Sequence, residues 1–367
     1  MSLNSTIRKK VFLITPSLAG GGAERIYITL ARAFQKQYSD KLDVTLVALS
    51  GEGPLRDLIS KDIKFVDLQS PRARQAVFKL RTLLKQEKPD AVFTFLQASI
   101  VCFISTIFLR TKTKHICKLT NHLDFTFKNM SYTTVLLFKL ALSSCHKIVV
   151  MTEETGLDTA KKLNVSRDKI IKINNPIDST KVIADSEAFV LSLERPALVA
   201  CGRLSEQKGF AYAICAMSQV VETHPTAHLY ILGEGEKRAE LKALIAEQQL
   251  QDNVSLLGFQ QNPYPYFKHA DVFILSSLWE GFGNVLVEAM ALGTAIISTD
   301  CPSGPREILQ NGESGILVPP ANSSAIARAT VDILKDSLKK KELESAALNR
   351  ALEFDVNIIA LNYQKLI

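Results

Sequence analysis

Glu280 and Glu288 stand eight residues apart in the stretch SSLWEGFGNVLVEAMALG, and Arg203 and Lys208 stand five apart in CGRLSEQKG. Carboxylates at such a spacing can accept hydrogen bonds from the hydroxyls of a ribose or a hexose. An arginine fork grips two phosphate oxygens at once and a lysine adds a compact charge, so the basic pair could hold a diphosphate without a metal. Asp-x-Asp occurs nowhere in the chain, which argues against a metal-bridged nucleotide.

These side chains need elements that aim them. Val272 to Leu275 is an apolar run that reads as a buried strand, so Glu280 lies in the loop above its end. Gly281 and Gly283 break the chain, and Asn284 reads as the N-cap of a helix on which Val285, Ala289 and Leu292 recur at helical spacing. Glu288 then falls in the first helical turn. Arg203 and Lys208 project from the loop between the strand Ala197–Cys201 and a helix from about Phe210. In an open α/β sheet, ligands bind at that edge. A glycine turn, Leu18-Ala-Gly-Gly-Gly-Ala-Glu-Arg25, sits between a strand and a helix in the first half. It allows close backbone approach at Gly21 and Gly22. It is no dinucleotide fingerprint, because Arg25 takes the last glycine position, and no Walker loop. Gly233-Glu-Gly-Glu-Lys-Arg238 fails the same test and reads as structural.

Strands and helices alternate throughout. Strands are expected at Val11–Thr15, Val44–Leu49, Phe65–Asp67, Ala91–Phe95, His115–Leu119, Ile148–Met151 and Lys169–Ile173. After the Asn175–Pro176 break comes a polar, less ordered stretch to about Arg195. A second set follows at Ala197–Cys201, His228–Leu232, Ser255–Leu257, Val272–Leu275, Ala295–Ser298 and Gly315–Leu317. The pattern implies parallel sheets with right-handed crossovers. Two α/β domains of Rossmann-like type facing across a cleft are expected, over 1–178 and 179–350.

Charge separates the halves. Residues 1–180 carry 28 Lys+Arg against 15 Asp+Glu; residues 181–367 carry 16 against 22. The basic half suits an anionic partner: nucleic acid, or an acidic membrane face carrying a pyrophosphate-linked lipid. A solvated face without a partner is the alternative. The aromatic-and-basic interleaving of a single-strand nucleic-acid platform is missing, so no nucleic acid is expected. Ala91 to Leu109 lacks charge over nearly a bilayer's thickness, yet splits into a strand and a helix. Lys128 to Lys147 reads as a helix, either interfacial on lipid or an ordinary core helix. Six scattered cysteines with no Cys-x-x-Cys pair suggest reduced thiols in a cytoplasmic protein and no zinc. Arg8, Lys9 and Lys10 precede only a short apolar run, so no signal peptide is expected.

Taken together, Gly20-Gly-Gly-Ala-Glu-Arg25, Gly202-Arg-Leu-x4-Gly209, Leu232-Gly-Glu-Gly235, Glu280-Gly-Phe-x5-Glu288 and Asp300-Cys-Pro-Ser-Gly-Pro-Arg306 resemble a retaining glycosyltransferase of family 4 over nearly the whole chain. The resemblance implies a GT-B fold, whose last segment, 351–367, crosses back to the first domain. It implies a metal-independent hexosyltransferase with no cofactor. A nucleotide sugar, by this likeness UDP-linked hexose or N-acetylhexosamine, is the donor, and a glycan acceptor, lipid-pyrophosphate-linked, receives the sugar. Arg203 and Lys208 would bind the diphosphate, Glu288 the ribose, and Glu280 the transferred sugar, with backbone N–H groups of Phe282, Gly283 and Asn284 nearby. Gly21 and Gly22 would approach the phosphates or the acceptor. His122 matches the family's active-site histidine, and Asn175 the asparagine before the interdomain segment. Many relatives carry Pro where this chain has Gly283. The loop Cys301–Arg306 could close over the site. The enzyme would work in cell-surface polysaccharide assembly, peripheral on the inner face of the membrane. Rival readings are a transferase for a soluble acceptor, a nucleotide-sugar epimerase, and a non-catalytic nucleotide-binding protein.

Overall fold

The computed structural model describes residues 8–20, 22–70, 72–109, 112–128 and 130–367. Its first elements are β1 (Lys9–Thr15), α1 (Gly22–Tyr38), β2 (Leu42–Ala48), β3 (Lys64–Asp67), α2 (Ala73–Glu87), β4 (Ala91–Phe95), α3 (Gln97–Thr106), β5 (Lys114–Lys118), α4 (Leu123–Phe127), α5 (Tyr132–Ser144), β6 (Lys147–Val150), α6 (Glu153–Leu163) and β7 (Ile170–Lys172). There follow α7 (Ser179–Ser186), β8 (Ala197–Cys201), α8 (Phe210–Thr223), β9 (His228–Leu232), α9 (Arg238–Glu247), β10 (Val254–Gly258), α10 (Tyr264–His269) and β11 (Val272–Leu275). The chain ends with α11 (Asn284–Met290), β12 (Ala295–Thr299), α12 (Pro305–Ile308), β13 (Ile316–Val318), α13 (Ser323–Lys335), α14 (Ser337–Ala351) and α15 (Val356–Gln364). Two compact units result. One runs to Pro176 and takes in Val356–Ile367; the other is Ile177–Asp355.

The first unit holds a seven-stranded sheet in the order β3-β2-β1-β4-β5-β6-β7, the second a six-stranded sheet in the order β10-β9-β8-β11-β12-β13. Neighbouring strands pair in parallel in both. Each sheet is Rossmann-like, starting at its centre and winding outward both ways, so a topological switch point lies between β1 and β4 and between β8 and β11. Helices cover both faces, which is why the strands read as nearly continuous apolar runs. Along β1, Val11 and Leu13 pack under α1 and α15, while Phe12 and Ile14 pack under α2 and α3.

The last helix belongs to the first unit because its apolar face does. Ile359, Ala360 and Tyr363 are buried with Tyr27, Phe34 and Phe93. Lys9 and Lys114 donate to the Ile367 carbonyl oxygen at 2.9 and 3.0 Å. The segment expected to cross back from Ala351 starts later: Ala351 ends α14 in the second unit, and α15 begins at Val356.

The polar stretch read as less ordered contains α7. Asp178 caps it by accepting from the Lys181 N–H at 3.1 Å, but only Val182 and Ser186 are buried, too few to show a period. Ala91 to Leu109 divides into β4 and α3, and no helix among the described residues is long and apolar enough to cross a membrane. On α5 one face packs into the core and the other is exposed. Phe138, Ala141 and Leu142 are buried, whereas Tyr132, Leu136 and Leu140 are 82, 48 and 46% exposed.

Candidate active site

In the second unit the loops after β8 and β11 meet at the switch point. Lys208 Nζ donates to Glu280 Oε1 at 2.6 Å, and the Ser277 hydroxyl donates to the same oxygen at 2.6 Å. Further bonds stitch the two loops. Ser276 Oγ donates to the Lys208 carbonyl at 2.9 Å, Gln207 Nε2 to the Trp279 carbonyl at 3.0 Å, and the Leu278 N–H to the Gln207 carbonyl at 2.8 Å. The Lys208 and Glu280 side chains are only 17 and 6% exposed. A charge so enclosed is tolerable because it is paired and hydrogen-bonded.

The Cys301–Arg306 loop lies against the same carboxylate. The Glu280 N–H donates to the Pro302 carbonyl at 3.2 Å. Burial, and next the Glu280 charge, push the Cys301 thiol up to about 12. Arg306 forks onto Asp300 across the loop, with Nε 3.0 Å from Oδ1 and a second bond to Oδ2, which braces this segment.

Two expectations for the segment after Glu280 are corrected. The residue capping α11 is Gly283, not Asn284, which is already the first helical residue. Gly283 has φ of +103°, a conformation open to glycine and closed to the proline of many relatives. Glu288 is consequently the fifth residue of α11, half-buried in its second turn and not in the first. Phe282 is buried with its ring 5.8 Å from Phe354, so it offers its backbone and not its side chain. Arg203 stands exposed on the β8 loop, outside the Lys208–Glu280 pair. The structure therefore joins Lys208 to Glu280 directly, with Arg203 exposed on the same loop as Lys208 and Glu288 half-buried on α11.

In the first unit, Gly22 opens α1, while Gly21 lies outside the described residues. Behind this turn, burial pushes the Glu24 carboxyl up. His122 caps α4 with its ring turned toward α6: Nδ1 lies 3.1 Å from Asp158 Oδ2 and Nε2 3.7 Å from Glu154 Oε1. Lys162 Nζ lies 2.8 Å from Asp158 Oδ1 and 2.5 Å from Asp124 Oδ2. His122, Asp124 and Asp158 are the one group among the described residues whose ligand atoms, all within 4.8 Å, could share a cation. The Lys162 ammonium already supplies positive charge to both carboxylates there. At the end of β5, Lys118 donates to Asn175 Oδ1 at 2.7 Å and lies 5.5 Å from the Tyr363 ring centre. Burial lowers its pKa to about 7. This assigns Asn175 a structural partner.

Sequence reasoning overlooked Ser277, Asp158, Lys162 and Lys118. The spacing of Glu154, Asp158 and Lys162 does place them on one helical face, a signal for the second and third. A serine three residues before Glu280 carries no such mark.

Comparison with known proteins follows the same division. Residues 20–181 match the model described as Glycosyltransferase Family 4, and residues 183–350 match Glycosyl transferases group 1. An uncharacterised glycosyltransferase of Methanocaldococcus jannaschii is 30% identical over 332 residues, covering 79% of this chain and 82% of that one. The N-acetylgalactosamine-N,N'-diacetylbacillosaminyl-diphospho-undecaprenol 4-alpha-N-acetylgalactosaminyltransferase of Campylobacter jejuni is 28% identical, covering 95 and 96%. The crystal structure of Anabaena HepE in complex with UDP superposes with a TM-score of 0.81 at 20% identity, covering 97 and 98%, which establishes a shared fold. With two doubly wound sheets, a helix returned to the first unit, and these matches along its length, the chain belongs to the family 4 glycosyltransferases of GT-B fold.

Proposed function

We propose that this glycosyltransferase moves a hexose or N-acetylhexosamine from a UDP-linked donor to a hydroxyl of a lipid-pyrophosphate-linked glycan, with retention and without a metal. The observation that carries the donor site is the enclosed Lys208–Glu280–Ser277 cluster at the switch point of the second sheet. There Lys208 and Arg203 would neutralise the diphosphate, Glu280 would hold the sugar hydroxyls, and Glu288 the ribose. The backbone of Phe282, Gly283 and Asn284 would line the sugar, and Gly21 and Gly22 the phosphates or acceptor. UDP is supported by the HepE complex, which has this fold.

Retaining hydrolases place a nucleophilic carboxylate about 5 Å from their acid. Glu280 is instead engaged by Lys208 and Ser277, which supports the sugar-holding role proposed for it. In the proposed step the acceptor oxygen attacks the anomeric carbon from the face the diphosphate leaves. The carbon–oxygen bond to the diphosphate breaks, and the acceptor proton passes to a departing phosphate oxygen. Catalysis then rests on positioning and charge neutralisation. His122 would hold a sugar hydroxyl.

A lipid-linked acceptor is supported by the undecaprenol-linked substrate named for the Campylobacter relative. The exposed Tyr132, Leu136 and Leu140 on α5 and the basic first half suit an anionic bilayer, consistent with a peripheral enzyme on the cytoplasmic face. The test is transfer of radiolabel from a panel of nucleotide sugars to extracted lipid-linked glycans, by the chain and its Glu280→Gln variant. Label reaching lipid only with intact Glu280 supports the proposal. Label confined to soluble sugars, or donor turnover without any acceptor, points to a soluble acceptor or an epimerase.

A further inference from the structure

His122 stands at the head of α4, a helix of five residues that cannot hold its own orientation. What orients it is α6. That helix turns Glu154, Asp158 and Lys162 to one side at four-residue intervals, and all three engage the β5–α4 segment. Asp158 is the centre of the arrangement. One of its oxygens lies 3.1 Å from His122 Nδ1, and the other lies 2.8 Å from Lys162, whose ammonium also holds Asp124 on α4. Phe125 flanks the imidazole edge-on with ring centres 6.4 Å apart. The His122 and Asp158 side chains are 13 and 19% exposed, so water competes little for these contacts. Both Asp158 Oδ2 and His122 Nε2 are buried without a hydrogen-bond partner, so the 3.1 Å approach is not yet an aligned bond. A buried polar atom left unpaired is costly, and such atoms in native proteins commonly mark a ligand or strain.

We infer that Asp158 is a positioning residue for the transfer. It takes the Nδ1 proton of His122 into a hydrogen bond and thereby selects the tautomer with its lone pair on Nε2, the ring nitrogen enclosed beside Glu154. A hydroxyl of the transferred sugar would donate to that lone pair by displacing the Glu154 carboxylate, whose side chain is 60% exposed. Lys162 offsets the Asp158 charge and, through Asp124, keeps α4 against α6. The carboxylate would act through the imidazole, never on the sugar itself. The inference rests on the reading of His122 as a sugar-holding residue.

The test combines a tautomer measurement with a kinetic cycle. Long-range ¹⁵N–¹H correlation of the full-length chain should show His122 protonated at Nδ1, with the Nε2-protonated form gaining population in Asp158→Asn. A wild-type ring protonated only at Nε2 would overturn the inference without relying on any variant to fold. In kinetics, Asp158→Asn should lower kcat about 10–100-fold, the scale of lost outer partners of a functional histidine, with donor KM nearly unchanged. In a His122→Ala background the same substitution should cost nothing further, and Asp158→Glu should recover part of the loss. Equal losses in both backgrounds would mean that Asp158 serves the fold alone, refuting the inference. Full activity in His122→Ala by itself would refute the histidine's role, and the inference with it, by a distinct result.

Discussion

Lys118 is an ammonium placed where the core should be apolar, and its removal makes a quantitative prediction. It ends β5, alternating with Ile116 on the face packed by α1 and α15, and is 2% exposed. Its partners are the Asn175 side-chain oxygen and the Tyr363 ring. Burial lowers its pKa from 10.5 to about 7. The unfolded chain therefore binds more protons than the folded one between pH 7 and 10.5, and stability must rise with pH across that window. The ceiling, 3.5 units at 1.36 kcal/mol each, is about 5 kcal/mol, and integration from pH 7 to pH 9 gives about 2 kcal/mol. Lys118→Met abolishes this slope. It also removes the hydrogen bond from Lys118 to the Asn175 oxygen, at a cost of about 1 kcal/mol that shifts the curve without tilting it. Trp279, the sole tryptophan, lies in the second unit and would report on the wrong unfolding. The appropriate assay is hydrogen exchange of β4 and β5 amides between pH 7 and 9, corrected for intrinsic rates. Wild type should gain protection relative to Lys118→Met as pH rises. Parallel curves for the two proteins would show that Lys118 keeps its proton in the folded protein across this range, and the reasoning fails.

Three further outcomes are expected. Arg203→Ala should cut turnover about 10²–10³-fold in steady-state transfer assays, the usual loss for one charge-stabilising donor, with a thermal midpoint near wild type because the side chain is exposed. Gly233→Ala should destabilise the second unit and abolish donor binding measured calorimetrically. At φ of +140° its new Cβ would sit 1.9 Å from the Gly202 carbonyl oxygen, driving apart the loops that hold Lys208. Leu136→Asp should weaken flotation with anionic liposomes while leaving transfer to a detergent-solubilised acceptor intact; unchanged flotation would remove α5 from the membrane face.

Much of the architecture is legible in the chain because buried parallel strands write themselves as apolar runs. The expected strand Ala91–Phe95 is β4 residue for residue, and Val272–Leu275 is β11. Helices with weak periodicity are not legible. The sequence reading named no helix at α7, α10 or α14, whose burial depends on neighbours distant in sequence, as where α7 meets α10. The cap of α11 was misjudged for a related reason. Asparagine is the better capping side chain in general, but a backbone at positive φ favours glycine whatever follows it.

Residue types and their spacing alone determined the doubly wound class, the two-unit plan and the candidate stretches proposed to carry the chemistry. They also marked Gly233-Glu-Gly235 as a tight turn, and in the structure its glycines let the backbone press against Gly202 and Leu204. Only the tertiary structure decided which charges meet. It joined Lys208 to Glu280 across 72 positions, with Ser277 on the same carboxylate oxygen, left Arg203 exposed, turned His122 toward Asp158, and buried Lys118 against Asn175. The physical reason is reach. Periodicity and propensity act within a turn or a strand, whereas an ion pair depends on where parallel strands distant in sequence deliver their ends.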